Sequence, residues 1–141
     1  AFASYGLKNY AAADAEIGKA LELRRTITAR NLSEQRDEAD QRVLAALIAA
    51  RLGRSAEAQE LLAPAAKLQR DLYARNKDGE DQMQRVEFAS VLYASALASP
   101  DQRAQQLAQA AAMLDRLPAP MRGLSSTARL RQAIAEEEKR H

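Results

Sequence analysis

Few residues in this chain have the types and spacing that chemistry needs. There is no cysteine and a single histidine, His141, so thiolate ligands and Cys–His or Ser–His arrangements do not arise. No glycine-rich run is present to cradle a phosphate. Carboxylates are plentiful in "EQRDEAD" (34–40) and "EEE" (136–138), but such runs are usually solvated helix surface. General acid–base catalysis needs carboxylates from separate elements converging in a pocket, and no spacing here suggests that. The expectation is a protein that is not an enzyme and has no metal site or cofactor.

What remains is the chemistry of recognition. Arg25, Arg70 and Arg116 occupy one equivalent place in three similar stretches, and in a stacked array equivalent places form a column. The three are read either as a basic ridge for an acidic segment or as a solvated face with cations near helix C-termini. Net charge is +2, with 21 basic residues interleaved among 19 acidic ones. So even a balance argues against nucleic acid as the partner, and leaves that reading resting on the arginine column alone.

The stretches that carry these arginines repeat one another. "LRRTITARN" (23–31) is echoed by "LQRDLYARN" (68–76), an offset of 45 residues. Upstream, Ala13 and Ala20 answer Ala58 and Ala65, and a third copy carries Ala104 and Ala111 at an offset of 46. "QRV" recurs at 41–43 and 84–86. Repetition at this distance is the mark of stacked units, each unable to bury its apolar face alone. The alanines are read as contact sites, because small side chains let neighbouring helices approach to about 8–10 Å.

Each copy reads as two helices. The chain is 47% hydrophobic and only 4% aromatic, with alanine dominant, which favours helix by propensity. Val43, Leu44, Leu47, Ile48 and Leu52 lie at helical spacing up to Gly53, which suits a left-handed helix end, and Ser55 is placed to cap the next helix. That helix is expected to bury Ala58, Leu61, Leu62, Ala65, Leu68 and Leu72, with a kink at Pro64. "SPDQ" (99–102) restarts the chain with Ser99 as N-cap. Asn31 and Asn76 are read as helix-closing residues in the left-handed conformation. "LPAPMRGL" (117–124) breaks the pattern, and a last helix capped by Ser125 or Ser126 closes the stack against water. The divisions are a partial first unit over 1–31, units over 32–76 and 77–117, and the closing helix over 124–140. A first residue other than Met suggests a piece of a longer protein. No apolar run has transmembrane length, so no membrane insertion is expected. The compartment stays open, with cytoplasm favoured over periplasm.

On Tyr10, Ala13, Ile17 and Ala20 in the first copy, and on Ala46, Gly53, Ala58 and Ala65 in the second, the chain resembles tetratricopeptide repeats. The likeness covers roughly 3–116, and the period exceeds the family's usual 34 residues, closer to its long-helix variants. The resemblance implies an all-α, right-handed superhelix of about three helix pairs, the first incomplete. Its first helices would line a concave groove for a peptide or partner protein, often as the appended interaction portion of a larger bacterial protein. By that analogy Phe2 and Tyr5, then Asp40, Val43, Leu47, Ala50 and Arg51, then Met83, Val86, Ser90, Tyr93 and Ala94 point inward. The partner contacts expected are Leu47, Arg51 and Tyr93, with Tyr5, Asp40 and Ser90 beside them; Arg51 would hold a carboxylate or phosphate of the ligand. A structural module that forms a homodimer or packs within the parent protein is the alternative.

Overall fold

The computed structural model describes residues 10–25, 31–76 and 81–140. Of these, 89% are helical and none is in a strand, so the fold is all-α. The elements are α1 (Tyr10–Arg25), α2 (Leu32–Arg51), α3 (Ser55–Arg75), α4 (Gln82–Ala98), a 3-10 turn (Pro100–Gln102), α5 (Arg103–Asp115), the short α6 (Ala119–Arg122) and α7 (Ser125–Lys139). Packing runs from neighbour to neighbour: α1 on α2, α2 on α3, α3 on α4, α4 on α5, and α5 on α7. A further contact joins α2 to α4. This is compatible with a helical repeat, α2 and α4 being first helices and α3 and α5 their second helices.

Alanine makes the approach of these helices possible. Ala46, Ala49, Ala58, Ala89, Ala94, Ala96 and Ala110 have no exposed surface, and together with leucines and valines from α2 to α7 they form one continuous core. A smaller cluster ties Ala13, Ile17 and Leu21 of α1 to Leu44, Ala45 and Ile48 of α2. The buried side of α3 is Ala58, Leu62, Ala65 and Gln69, at steps of four, three and four. Leu61, Leu68 and Leu72, expected in that stripe, are only half-buried. Pro64 lies inside α3, which continues through it. Its exposed position leaves the unbonded carbonyl one turn back facing water.

Gly53 closes α2 as the sequence suggests. Its φ is +80°, the N–H of Arg54 donates to Ala49 O at 2.8 Å, and its own N–H donates to Ala50 O at 3.1 Å. These two bonds are the paired closure of a helix by a left-handed residue. The serines behave otherwise. Ser55 and Ser125 are first helical residues rather than caps, and neither Arg54 nor Leu124, which precede them, makes a side-chain cap bond. Ser99 precedes the 3-10 turn without a side-chain cap.

Both asparagines of the opening echo are also reassigned. Asn31 begins a helix: its side chain accepts from the Glu34 N–H at 2.9 Å. Asn76 follows α3 with φ −94°, outside the left-handed region. Its Nδ2 donates to Asp81 O at 2.8 Å and to Gln84 Oε1 at 3.1 Å, while Asp81 N–H donates back to its Oδ1. Asn76 therefore ties the end of α3 to the start of α4.

The third copy departs from the expected register. Ala104 is exposed, while Leu107, Ala111 and Leu114 are buried. They stand 49 residues beyond Ala58, Leu62 and Ala65 rather than 46. The three residues of the 3-10 turn, inserted ahead of α5, account for the shift. Small-to-large change is costly only where the site is closed, and burying a charge adds to the cost. Ala58→Arg and Ala65→Arg are therefore expected to lose several kcal/mol in thermal or urea melts, whereas Ala104→Arg melts like the wild type.

Candidate partner-binding face

The face shared by α2 and α4 is polar at its start, because these helices carry charge between apolar turns. Arg36 on α2 donates to both oxygens of Glu87 on α4, from Nε at 2.9 Å and from Nη2 at 2.6 Å. Its Nη1 donates to Asp81 Oδ2 at 2.9 Å. Glu87 Oε1 also accepts from Gln69 Nε2 of α3 at 3.0 Å. Gln84 Nε2 in turn donates to the backbone and side-chain oxygens of Gln69, both at 3.0 Å. Three helices meet in one hydrogen-bonded joint whose two glutamines are almost wholly buried.

The joint sets the charge states around it. Its hydrogen bond to Glu87 holds the Arg36 guanidinium firmly protonated, above its ordinary range and against the effect of burial. Burial acts to raise Asp81, but the hydrogen bonds from Arg36 and from the Gln84 backbone overcome this and hold its carboxyl below the usual range. Asp40 is treated in the opposite way. Crowding by protein atoms pushes its carboxyl up to about 7, with Glu87 and then Asp37 adding to the rise and Arg36 opposing it. Yet Asp40 remains exposed to solvent. It is an accessible acid among acids, and the nearby cation is already committed to Glu87 and Asp81.

The far end of the same face is closed. Arg51 Nη2 donates to Tyr93 Oη at 3.4 Å and forms an ion pair with Glu137 Oε1 of α7 at 2.5 Å. Arg140 Nη1 reaches the same oxygen at 3.2 Å. Leu47 and Tyr93 are 2% and 4% exposed and belong to the core. The expectation that Leu47 and Tyr93 line an open groove is therefore overturned. The structure brings Arg51 and Tyr93 together, and Glu137 of α7 occupies Arg51 where a ligand's carboxylate or phosphate was expected. Ser90 is half-buried, its hydroxyl donating to Val86 O at 3.1 Å in the preceding turn.

The remaining candidates are scattered. Tyr5 and Phe2 lie outside the described residues, as does the side chain of Arg25. Arg70 and Arg116 are both exposed. The three-residue shift before α5 takes Arg116 out of register with Arg70, leaving it just beyond the end of its helix, so the two are not successive members of one column. Among the described residues no group of three acids or histidines is placed to hold a metal ion, and no helix is long and apolar enough to cross a membrane.

Arg36, Gln69, Gln84, Glu87 and Glu137 were not singled out by sequence reasoning. Glu87 carried a signal, a charge between the apolar residues Val86 and Phe88. Glu137 carried another: Leu130, Ile134 and Glu137 follow steps of four and three, so the middle acid of "EEE" continues the buried stripe. No protein-family model matches the chain, and no curated protein or solved structure gives a significant match.

Removing one partner of a largely buried ion pair leaves the other uncompensated. Arg36→Leu is expected to cost about 3 kcal/mol in urea unfolding, and the double change with Glu87→Leu to recover much of it. Equal losses in the single and double variants would show that the pair does not couple.

Proposed function

We propose that this chain is a protein-interaction scaffold of the tetratricopeptide-like kind, with the α2–α4 face around Asp40 and Ser90 as its binding surface. One observation carries the reading: Asp40 is an exposed acid beside Asp37 and Glu87, and the nearby cation, Arg36, is bonded to Glu87 and Asp81. An acid whose folded pKa lies above its unfolded value holds its proton more tightly in the folded chain. Its contribution is then lost, and stability falls, as pH rises from about 4 through about 7. A residue placed against stability on an exposed surface is a common mark of binding sites. The neighbour-to-neighbour packing supports the scaffold architecture, and repeats of this kind present extended faces to partners.

The chemistry of the partner follows from the charge. Asp40 faces Glu87 and Asp37, and Arg36 is engaged elsewhere. A Lys or Arg from a partner segment would supply the missing counter-charge and draw the Asp40 pKa back down. Binding of such a segment therefore strengthens as pH rises from 6 to 8.

Two measurements test this. Asp40→Asn is expected to raise the melting temperature by a few degrees at pH 8 and to have no effect near pH 3.5; the reverse dependence would remove the argument. Peptide display against the folded chain at pH 8 is expected to enrich segments rich in Lys and Arg. That enrichment should disappear with Asp40→Lys and weaken at pH 6. Enrichment unaltered by Asp40→Lys would place the binding surface elsewhere.

A further inference from the structure

Among the described residues α7 is docked unlike the other long helices. Its three buried residues are Thr127, Ile134 and Glu137, and two of these are polar. On α5, by contrast, every buried residue is apolar. The Thr127 hydroxyl has no hydrogen-bond partner although it is shielded from solvent. Glu137 is a carboxylate 2% exposed, held by Arg51 of α2 and by Arg140 just beyond α7 itself. Apolar support comes from Ile134 with Leu130 and Ala133, both only partly buried. Near the end of α7 a cleft of about 300 Å³, lined by Pro100, Arg103, Ala104, Leu107 and Glu138, leaves the helix incompletely packed on α5. The connector at 118–124 is exposed except for half-buried Met121, and carries Pro118 and Pro120.

Each of these features weakens the docking of α7 relative to an apolar helix of the same length. A buried hydroxyl without a partner is costly, and a buried ion pair is often matched or bettered by apolar residues. What the pair does provide is selectivity: Arg51 accepts a helix that brings an acid to one place and rejects one that does not.

We propose that the seat of α7, formed by α5 and by the Arg51–Tyr93 end of the first-helix face, is a helix-binding site that α7 itself fills. Its external ligand is an amphipathic helix with apolar residues at i and i+4 and a glutamate at i+7. That is the pattern of Leu130, Ile134 and Glu137, and it is how a helix lying in a groove is read. The partner competes with α7, and its glutamate takes over the bond from Arg51 that Glu137 vacates. The proposal deepens the scaffold reading and rests on it, but its test needs neither Asp40 nor a basic segment.

The probe is a labelled synthetic peptide of residues 124–140, titrated into the full chain and into the full chain carrying Ile134→Asp, which unseats its own α7. The variant is expected to bind the peptide at least about tenfold more tightly than the wild type, which must first release its resident helix. A peptide with Glu137→Arg should lose binding by about tenfold or more, and an added Arg51→Glu change in the chain should restore it. Equal binding to both chains, no binding to a folded variant, or indifference to the charge exchange would each overturn the proposal. If Ile134→Asp prevents folding, hydrogen exchange of the wild type decides. Amides of α7 exchanging well ahead of those of α4 support a releasable helix, and exchange of both only through global unfolding overturns it.

Discussion

The register of the stack is set most sharply by the bidentate bond from Arg36 to Glu87, because the alanine contacts within the core do not by themselves choose one. Where Ala46, Ala58, Ala65, Ala89 and Ala94 meet, a helix that slid by one turn would still place small residues against small residues. Hydrophobic attraction is non-directional and would barely distinguish the two arrangements. A guanidinium bonded to both oxygens of one carboxylate has a single geometry. Gln69 and Gln84 extend that demand to α3, so α2, α3 and α4 are fixed together. Any slip would leave a buried carboxylate and two buried amides without partners, at a cost far above the loss of a few methyl contacts.

How much of this was legible follows the same division. The helical class, the alanine sites at Ala58 and Ala65 and the turn at Gly53 could be read, since each rests on local spacing or on one residue's backbone freedom. The side chains that fasten helix to helix could not. Asn31 and Asn76 repeat in sequence yet act differently, one capping the start of α2 and the other bridging α3 to α4. Which role an asparagine takes depends on where the next helix lies, and that is tertiary. The register of the third copy failed for a local reason instead: Pro100–Gln102 formed a 3-10 turn and displaced α5 by three residues. At the candidate site, Arg51 and Tyr93 bond to each other, and the acid facing Arg51 is Glu137 on α7, which lies far along the chain and which local spacing could not place there.

These placements give the first-helix face two unlike ends. Around Asp40 the face is open and carries an acid without a free counter-ion. Around Arg51 it is covered, and the cation is matched inside the chain. One end of the surface thus carries an exposed acid, and the other an ion pair closed within the chain. Under the proposed binding role, a basic segment would meet its counter-charge at the Asp40 end, while the Arg51 end is open to an acid only where α7 leaves its seat.

The joint and the proposed binding surface are separated spatially for a physical reason. The joint at Arg36 and Glu87 lies between helices, where low polarity strengthens its bonds and makes failure to form them costly. Asp40, one turn further along α2, is just outside that joint. It feels the charge of Glu87 and Asp37 without sharing the hydrogen bonds that would offset it. The same carboxylate cluster that fastens the stack thus leaves one exposed acid at its rim beside other acids. Removing that acid would relieve the fold and remove the attraction together, so the two properties have one origin in the chain. At the other end the order is reversed: α7 brings Glu137 to Arg51, and the cost appears in α7, as the buried Thr127 hydroxyl and the buried Glu137 charge. Each end of the face therefore carries a cost that a bound partner could relieve, by neutralising Asp40 at one and by replacing α7 at the other.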